Sequence, residues 1–343
     1  MSLVKRFLDR GKLIHPDLYG MIKDWDGGEE RIRDLFQADS LVLTKMDLKN
    51  VEIPRPKVIN VEEKRHGKVH VSDFTEFYHQ RFDFLKNEVK DKLDVEEITS
   101  IDRLNSGEAS VIGMVRDVNE EVILEDKTGK LHLKTKENLL EDEVIGVKGD
   151  VMRNGDEVRM IAKKIFYPDV PLRKEVNKMD QNLKGLFVSD LREDMMDKVG
   201  DMNVDYIFVT GELDVVPKKI PVISLSKKHK HDENVISGED PLWLELGGLR
   251  ILLHDGKVVD KMKNKLGADQ TKTMISLLKK RHLKPYEMHS LEDKYFLKEI
   301  PDIIHIRGEA AMANYKGVTL LSSSQDTAYL VNFKTREMEE VEF

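Results

Sequence analysis

A chain of 343 residues with 56 Lys and Arg against 64 Asp and Glu carries a formal net charge of −8, which argues against a whole-protein field that attracts nucleic acid. The lack of cysteine excludes disulfides and thiolate metal sites, while 40% apolar and 35% charged residues supply real cores for two or three domains. No run of about 18 apolar residues occurs and Met1 to Phe7 is too polar for a secretory segment, so a cytoplasmic protein without a membrane partner is expected.

In chain order, Leu3, Phe7 and Leu8 recur at helical spacing. So do Leu18, Met21 and Ile22 after His15-Pro16-Asp17, and Ile32 and Leu35 after the turn signal Asp26-Gly27-Gly28. A small helical module is predicted over residues 1–50. Pro54, Pro56 and the charged run Glu62 to Lys68 read as a solvated linker over 51–72. From Asp73, the stripe Phe74, Phe77, Tyr78, Phe82, Leu85, Val89 and Leu93 predicts a connecting helix over 73–95, its aromatics serving core packing rather than base stacking. The period then changes to that of strands, at Ala109–Val115, Glu121–Leu124, Lys130–Leu133, Glu143–Val147 and Val158–Tyr167, with Gly113, Gly129, Gly149 and Gly155 at strand or turn positions. This is the pattern of an OB-fold β-barrel over 96–172, ended by Pro168-Asp169-Val170-Pro171. Within it 11 Lys and Arg face 17 Asp and Glu, a net of −6, and the aromatics are Phe166 and Tyr167 alone. A barrel that docks protein is favoured over one that binds single strands, which needs a positive groove and stacking rings.

Beyond Leu183, strand and helix patterns alternate through Ile220–Leu225, Leu249–Leu253 and Thr271–Lys279 to a late strand set from Ile303, outlining an α/β sandwich. Its opening strands end in carboxylates, Asp190 and Glu212. Acids at strand ends are how a two-metal phosphoesterase assembles the cations, roughly 4 Å apart, that activate water and hold phosphate. Here the pattern is spoiled, because Asp190-Leu191-Arg192 puts a guanidinium, with no lone pair to give, where a ligand should follow. The basic run Lys227 to Asp232 is a solvated loop in the plainer reading and a metal site through His229 and His231 in the other.

Several long stretches carry a family resemblance: D-F-x-x-F-Y-x-x-R-F-x-x-L at Asp73–Leu85, E-D-K-T-G at Glu125–Gly129, D-E-V-I-G-V-K-G at Asp142–Gly149, P-D-V-P, K-R-H-L-K-P at Lys280–Pro285, I-P-D-I-I-H at Ile300–His305 and Y-K-G-V-T-L-L-S-S at Tyr315–Ser323. In this order they resemble the small subunit of the archaeal family-D DNA polymerase over most of the chain. The resemblance implies a multidomain α+β chain: the helical module, the OB-fold, and a calcineurin-like metallophosphoesterase α/β sandwich over 183–343. In active members that sandwich is a 3′-to-5′ exonuclease, and the OB-fold docks the large catalytic subunit.

Carried over position by position, the family's metal ligands are mostly replaced. Asp190 is kept, Arg192 stands for the histidine of D-x-H, and Glu212 stands for the aspartate of G-D-x-x-D. Lys230 falls at the asparagine of G-N-H-D, Asp255 replaces the histidine of His-Gly with His254 one place early, and Glu309 and Ala311 replace the histidines of G-H-x-H. A divalent ion beside Arg192 or Lys230 would meet a repulsion of about 8 kcal/mol at an effective dielectric near 20. These cations are therefore expected to pair with Asp190, Glu212, Asp255 or Glu309, with no cofactor bound and no catalytic residue. The resulting reading is a non-catalytic accessory subunit that scaffolds the large polymerase subunit and meets DNA mainly through the complex. The rival is an active exonuclease, loaded with Mn or Mg on a site rebuilt from Asp190, Glu212, Asp214, His231, Asp255 and Glu309; a free single-strand binder would need a basic groove that the charges do not supply.

Overall fold

The computed structural model describes residues 3–16, 18–19, 35, 41–44, 54–59, 70–93, 98–119, 121–171, 175–283 and 294–343. In chain order these form α1 (Leu3–Leu8), β1 (Leu13–Ile14), β2 (Val42–Leu43), β3 (Lys57–Ile59) and α2 (Val71–Lys90). The strands β4 (Gly107–Asp117), β5 (Val122–Glu125), β6 (Lys130–Lys134), β7 (Val144–Asn154) and β8 (Glu157–Phe166) follow. Then come β9 (Lys184–Val188), α3 (Met196–Asp201), β10 (Tyr206–Val209), β11 (Val222–Ser224), β12 (Val235–Ser237), β13 (Leu242–Leu246) and β14 (Leu249–His254). The chain ends with α4 (Val259–Leu266), α5 (Gln270–Lys279), β15 (Ile303–Arg307), β16 (Ala311–Tyr315), β17 (Val318–Ser323), β18 (Thr327–Asn332) and β19 (Met338–Glu342).

Strands β4 to β8 close on themselves as a five-stranded, OB-fold-like barrel in the order β4-β5-β6-β8-β7. Strict alternation drives the closure. In β6, Leu131 and Leu133 point into the barrel while Lys130 and Lys134 face water. Val111, Val115, Leu124, Ile145, Val147 and Met160 fill the rest of the interior. Helix α2 starts where Asp73 accepts the His70 N–H at 2.6 Å, and lays Phe82, Leu85 and Val89 on Ile112, Met114 and Val144 of the barrel wall. The aromatic stripe is therefore packing, as its spacing suggested; the Phe74 side chain is outside the described residues.

Apart from the separate β1-β2 pair, the other strands build two six-stranded sheets, the first β12-β11-β10-β9-β18-β19 and the second β16-β17-β15-β14-β13-β3. Strands β9 and β10 are apolar on both faces. Phe187, Tyr206 and Phe208 turn inward against Ile251, Leu253, Ile303 and Leu321 of the second sheet, with the Phe187 and Phe208 rings stacked at 4.4 Å. Leu186, Val188, Ile207 and Val209 turn outward beneath Met195 and Val199 at α3. On the far side, Leu252, Ile304, Ile306 and Leu320 are covered by Val259, Met262, Met274 and Leu277 of α4 and α5. Burial on both faces is why these strands read as unbroken apolar runs.

Two expectations need correction. Residues Lys57–Ile59, assigned to the linker, form a short edge strand antiparallel to β13, with Ile59 opposite Trp243, and Tyr206 donates its hydroxyl to the Pro54 carbonyl at 2.6 Å. Two prolines disguise a strand this short, yet an edge strand tolerates them. In the expected helical module, Leu13–Ile14 and Val42–Leu43 pair as parallel strands, and α1 is its one complete helix among the described residues. Met21, Ile22, Asp26–Gly28 and Ile32 of that module, the run Glu62–Lys68, and Lys284-Pro285 lie outside the described residues. Among those described, no helix is long and apolar enough to cross a membrane.

Barrel and sandwich meet through charged groups. Lys280, just past α5 and 4% exposed, places its ammonium on Glu143, also 4% exposed, at the head of β7. Burial pushes the Glu143 carboxyl up from the ordinary range, opposed in part by the Lys280 charge. Arg281 donates to the Asp169 carbonyl at 2.6 Å and pairs with Glu88 of α2 at 2.9 Å. The Asp169 carboxylate takes Lys316 at 2.5 Å and the Tyr315 hydroxyl at 3.2 Å, and its N–H donates to the Lys279 carbonyl at 2.6 Å. Lys92, its amine lowered to about 8 chiefly by burial, bonds the carbonyls of Tyr167 and Pro168. Stretches that looked like separate motifs, at Asp142–Gly149, Pro168–Pro171, Lys280–Arg281 and Tyr315–Lys316, are parts of this one joint.

Two outcomes are expected. Lys280→Met alone strands a buried carboxylate and should lower the unfolding free energy by about 3 to 5 kcal/mol, while Glu143→Leu combined with Lys280→Met should recover most of that loss. Urea unfolding of the variants checks this; a single-variant cost below about 1 kcal/mol would contradict the buried pair's role. The second concerns His305 of β15, fully buried against Phe187 and held at about 3 by burial. Its folded pKa lies below the unfolded value near 6.5, so between the two only the unfolded chain takes the proton. Stability should fall by about 1.4 kcal/mol for each pH unit below about 6.5 from this group alone. Replacing His305→Gln should flatten the acid limb by that slope, and an unchanged limb would refute it.

Candidate functional site

Parallel strands β9 and β10 run in register from Gly185 and Tyr206 to Val188 and Val209, and the chains stay paired beyond them through a bridge between Leu191 and Leu213. That register brings Asp190 and Glu212 out side by side at the carboxyl edge of the first sheet. Asp190 is 6% exposed and accepts the Glu212 N–H at 2.7 Å and the Ser189 hydroxyl at 3.0 Å. Its third partner comes from the opposite sheet: Arg307, the last residue of β15, places Nη2 at 3.1 Å from the carboxylate. Two glycines make room. A Cβ at Gly211 would press on both the Asp190 carboxylate and the Arg307 guanidinium. At Gly256, where φ is +71°, it would overlap the Arg307 carbonyl oxygen.

The other site positions are each taken up separately. Contrary to the expectation that it pairs with a site carboxylate such as Asp190, Arg192 turns its guanidinium away to Asp194 at 3.2 Å and to the Gln325 carbonyl at 2.7 Å. These bonds, led by that to Asp194, raise its pKa. The partner of Asp214 is Lys228, at 2.6 Å. Lys230 and His231 are exposed with His229 in the loop beyond, and Glu212 is exposed too. Asp255 pairs with Lys257 at 2.8 Å, and Glu309 with Lys263 of α4. Ala311 opens β16 opposite Ser322. Four carboxylates near the strand ends thus have four cations of their own: Asp190 with Arg307, Asp214 with Lys228, Asp255 with Lys257, and Glu309 with Lys263.

Among the described residues, the set of three or more metal-competent side chains gathered within 4.8 Å is Asp240, His254 and Asp255. Of the six residues of the rebuilt-site reading it contains Asp255 alone. Its centre is already engaged: Asp240 accepts His254 Nδ1 and the Asp255 N–H, both at 2.8 Å, and the Tyr295 hydroxyl at 2.9 Å. Burial would raise the Asp240 pKa, but these hydrogen bonds hold it below the ordinary carboxylate value. His254 is wholly buried, and its Nδ1 is committed to Asp240.

Two residues of this region escaped the sequence reading. Arg307 ends the apolar run Ile303-Ile304-His305-Ile306, and a cation at the end of a buried strand is the signal that marks it. Asp240 stands before Pro241 and the apolar β13, where a capping carboxylate could have been sought.

No protein-family model matches the chain. It is similar over most of its length to proteins named DNA polymerase II small subunit. That of Archaeoglobus fulgidus is 23% identical across 86% of this chain and 80% of the relative. The Thermoplasma acidophilum protein is 23% identical across 94% and 85%. That of Halobacterium salinarum is 21% identical across 68% and 63%. Among solved structures, a conserved uncharacterized protein of Streptococcus pneumoniae described as a predicted phosphoesterase overlaps 48% of this chain and 99% of its own at 13% identity and a TM-score of 0.24. The Stn1-Ten1 complex of S. pombe overlaps 20% of this chain and 72% of its own at 14% identity and a TM-score of 0.17. Both overlaps are too loose to bear on the fold.

If Arg307 is the counter-charge of Asp190, Arg307→Met should cost about 2 kcal/mol, since it removes the charged hydrogen-bond partner of a buried carboxylate. Asp190→Asn together with Arg307→Met should cost less than the two single changes summed, with a coupling of about 1 to 2 kcal/mol. A double-mutant cycle by urea unfolding measures it; additive losses would show the two side chains to be independent.

Proposed function

We propose that this chain, homologous to DNA polymerase II small subunits, is a non-catalytic accessory subunit of an archaeal replicative DNA polymerase. In this reading a calcineurin-like sandwich without metals and an OB-fold-like barrel together hold a large catalytic subunit of family D. The observation that carries it is the Arg307 guanidinium on Asp190, at the strand ends where a two-metal centre would need lone pairs. These residues do not fit such a centre: a divalent ion about 4 Å from Arg307 would meet a repulsion of about 8 kcal/mol at an effective dielectric near 20. Asp214, Asp255 and Glu309 are likewise occupied by lysines, which weighs against the rebuilt exonuclease.

The placing of the resembling stretches supports the same reading. Four of the stretches that resemble the family serve the joint between barrel and sandwich, and Ile300–His305 serves the sandwich's own framework, where Asp302 accepts the Arg250 N–H at 2.8 Å and Asn177 at 3.0 Å. A joint so fully bonded suits a scaffold. The barrel's net of −6, with aromatics Phe166 and Tyr167 alone, favours contact with DNA through the complex.

Titration calorimetry with Mn²⁺ and a 3′-exonuclease assay on the purified chain should give no micromolar binding and no cleavage, and co-expression with a large family-D subunit should give a complex that survives gel filtration. Cleavage abolished by Asp190→Ala would overturn the non-catalytic reading, and failure of the two chains to co-purify would overturn the accessory role.

A further inference from the structure

A groove of about 570 Å³ opens between barrel and sandwich, walled by the loop after β6 on one side and by α5 on the other. Helix α5 turns Lys272, Ile275, Ser276 and Lys279 toward it, one stripe at helical spacing, while the barrel loop brings Lys136. Leu266, Ala268 and Ile275 make its surface partly apolar.

The charges in this groove are unbalanced. No carboxylate among the described residues pairs with Lys136 or Lys279, and Lys272 shares Asp269 at 3.1 Å within its own helix turn. Glu137 is the opposing anion in the wall, and Lys280 beneath is neutralised by Glu143. In a chain of net charge −8, a cationic rim over an apolar floor is a local reversal.

Two tyrosines also line the groove, which raises nucleic acid as an occupant; their rings argue against it. The Lys280 ammonium lies over Tyr167 at 4.9 Å, and Lys279 and Lys316 lie over Tyr315 at 5.5 and 5.6 Å. Rings already engaged by cations are poor platforms for stacked bases. Point charges around an apolar floor instead match carboxylates flanking an aliphatic side chain.

We infer that this groove receives an acidic segment of the large subunit, seating an aliphatic side chain on Ile275 and Leu266 and carboxylates on Lys136 and Lys279. The inference rests on the accessory-subunit reading and adds to it the place and chemistry of a contact. Because barrel and sandwich each supply one wall, the segment would read their relative placement.

The test uses the full-length chain and the large subunit in interferometry at about 0.15 M salt. The pair Lys136→Glu and Lys279→Glu should weaken binding about 100-fold, whereas the pair Lys130→Glu and Lys134→Glu, the same charge change on another barrel surface, should stay within about threefold. Ser276→Trp fills the groove without reversing a charge and should weaken binding about tenfold or more, so the test stands even if the double reversal fails to fold. Absence of binding by the wild type would overturn the accessory reading itself. Wild-type binding undiminished by either groove variant would overturn this inference alone, as would a double reversal that abolishes binding of a labelled oligothymidylate and leaves the subunit complex intact.

Discussion

The ammonium of Lys280 and the carboxylate of Glu143 lie almost without solvent where the barrel touches the sandwich. Removing either ion from water costs several kcal/mol, and only the opposite charge makes the burial tolerable. Each module thus carries a group it could not bury alone. Arg281, Asp169, Lys316, Glu88 and Lys92 extend the contact into a network that leaves the barrel little freedom to shift. The groove between loop and helix exists because this joint holds its walls at their distance.

A second charge balance operates at the sandwich edge. Strand ends that converge carboxylates need positive charge, whether from metal ions or from side chains. Here Arg307 reaches across from the second sheet to Asp190, while lysines answer Asp214, Asp255 and Glu309 at the rim. These contributions differ in kind. The rim pairs are largely exposed, and such pairs contribute about 0 to 1 kcal/mol each. The Asp190 carboxylate is buried and satisfied on both oxygens, so its partner is part of the fold. In this account the architecture persists as a frame for binding, and the edge that would hold metals has become a structural seam.

Much of this could be read from the chain alone. Period-two alternation marked the barrel strands near their observed positions, and apolar runs marked the sandwich strands, because burial on one or both faces leaves that signature directly in the sequence. The helical stripe from Phe77 to Leu93 gave α2 and its buried face. What escaped depends on contacts distant in sequence: Arg307 and Asp190 are 117 residues apart, and Arg192, only two residues from Asp190, looked the better partner. Arg192 instead turns toward Asp194 and the Gln325 carbonyl, which leaves Asp190 to the cation from the opposite sheet. Strand β3 escaped because Val58 and Ile59 gain their order from β13 rather than from any local pattern.

The claim on which most depends is that a guanidinium has taken the place of metal ions at the strand ends. Crystals of the chain grown with about 5 mM MnCl₂, measured at the manganese absorption edge, address it without recourse to activity. The account predicts no anomalous peak within about 4 Å of the Asp190 carboxylate, with Arg307 in density against it. A manganese peak bridging Asp190 and Glu212, with the Arg307 side chain displaced, would contradict it.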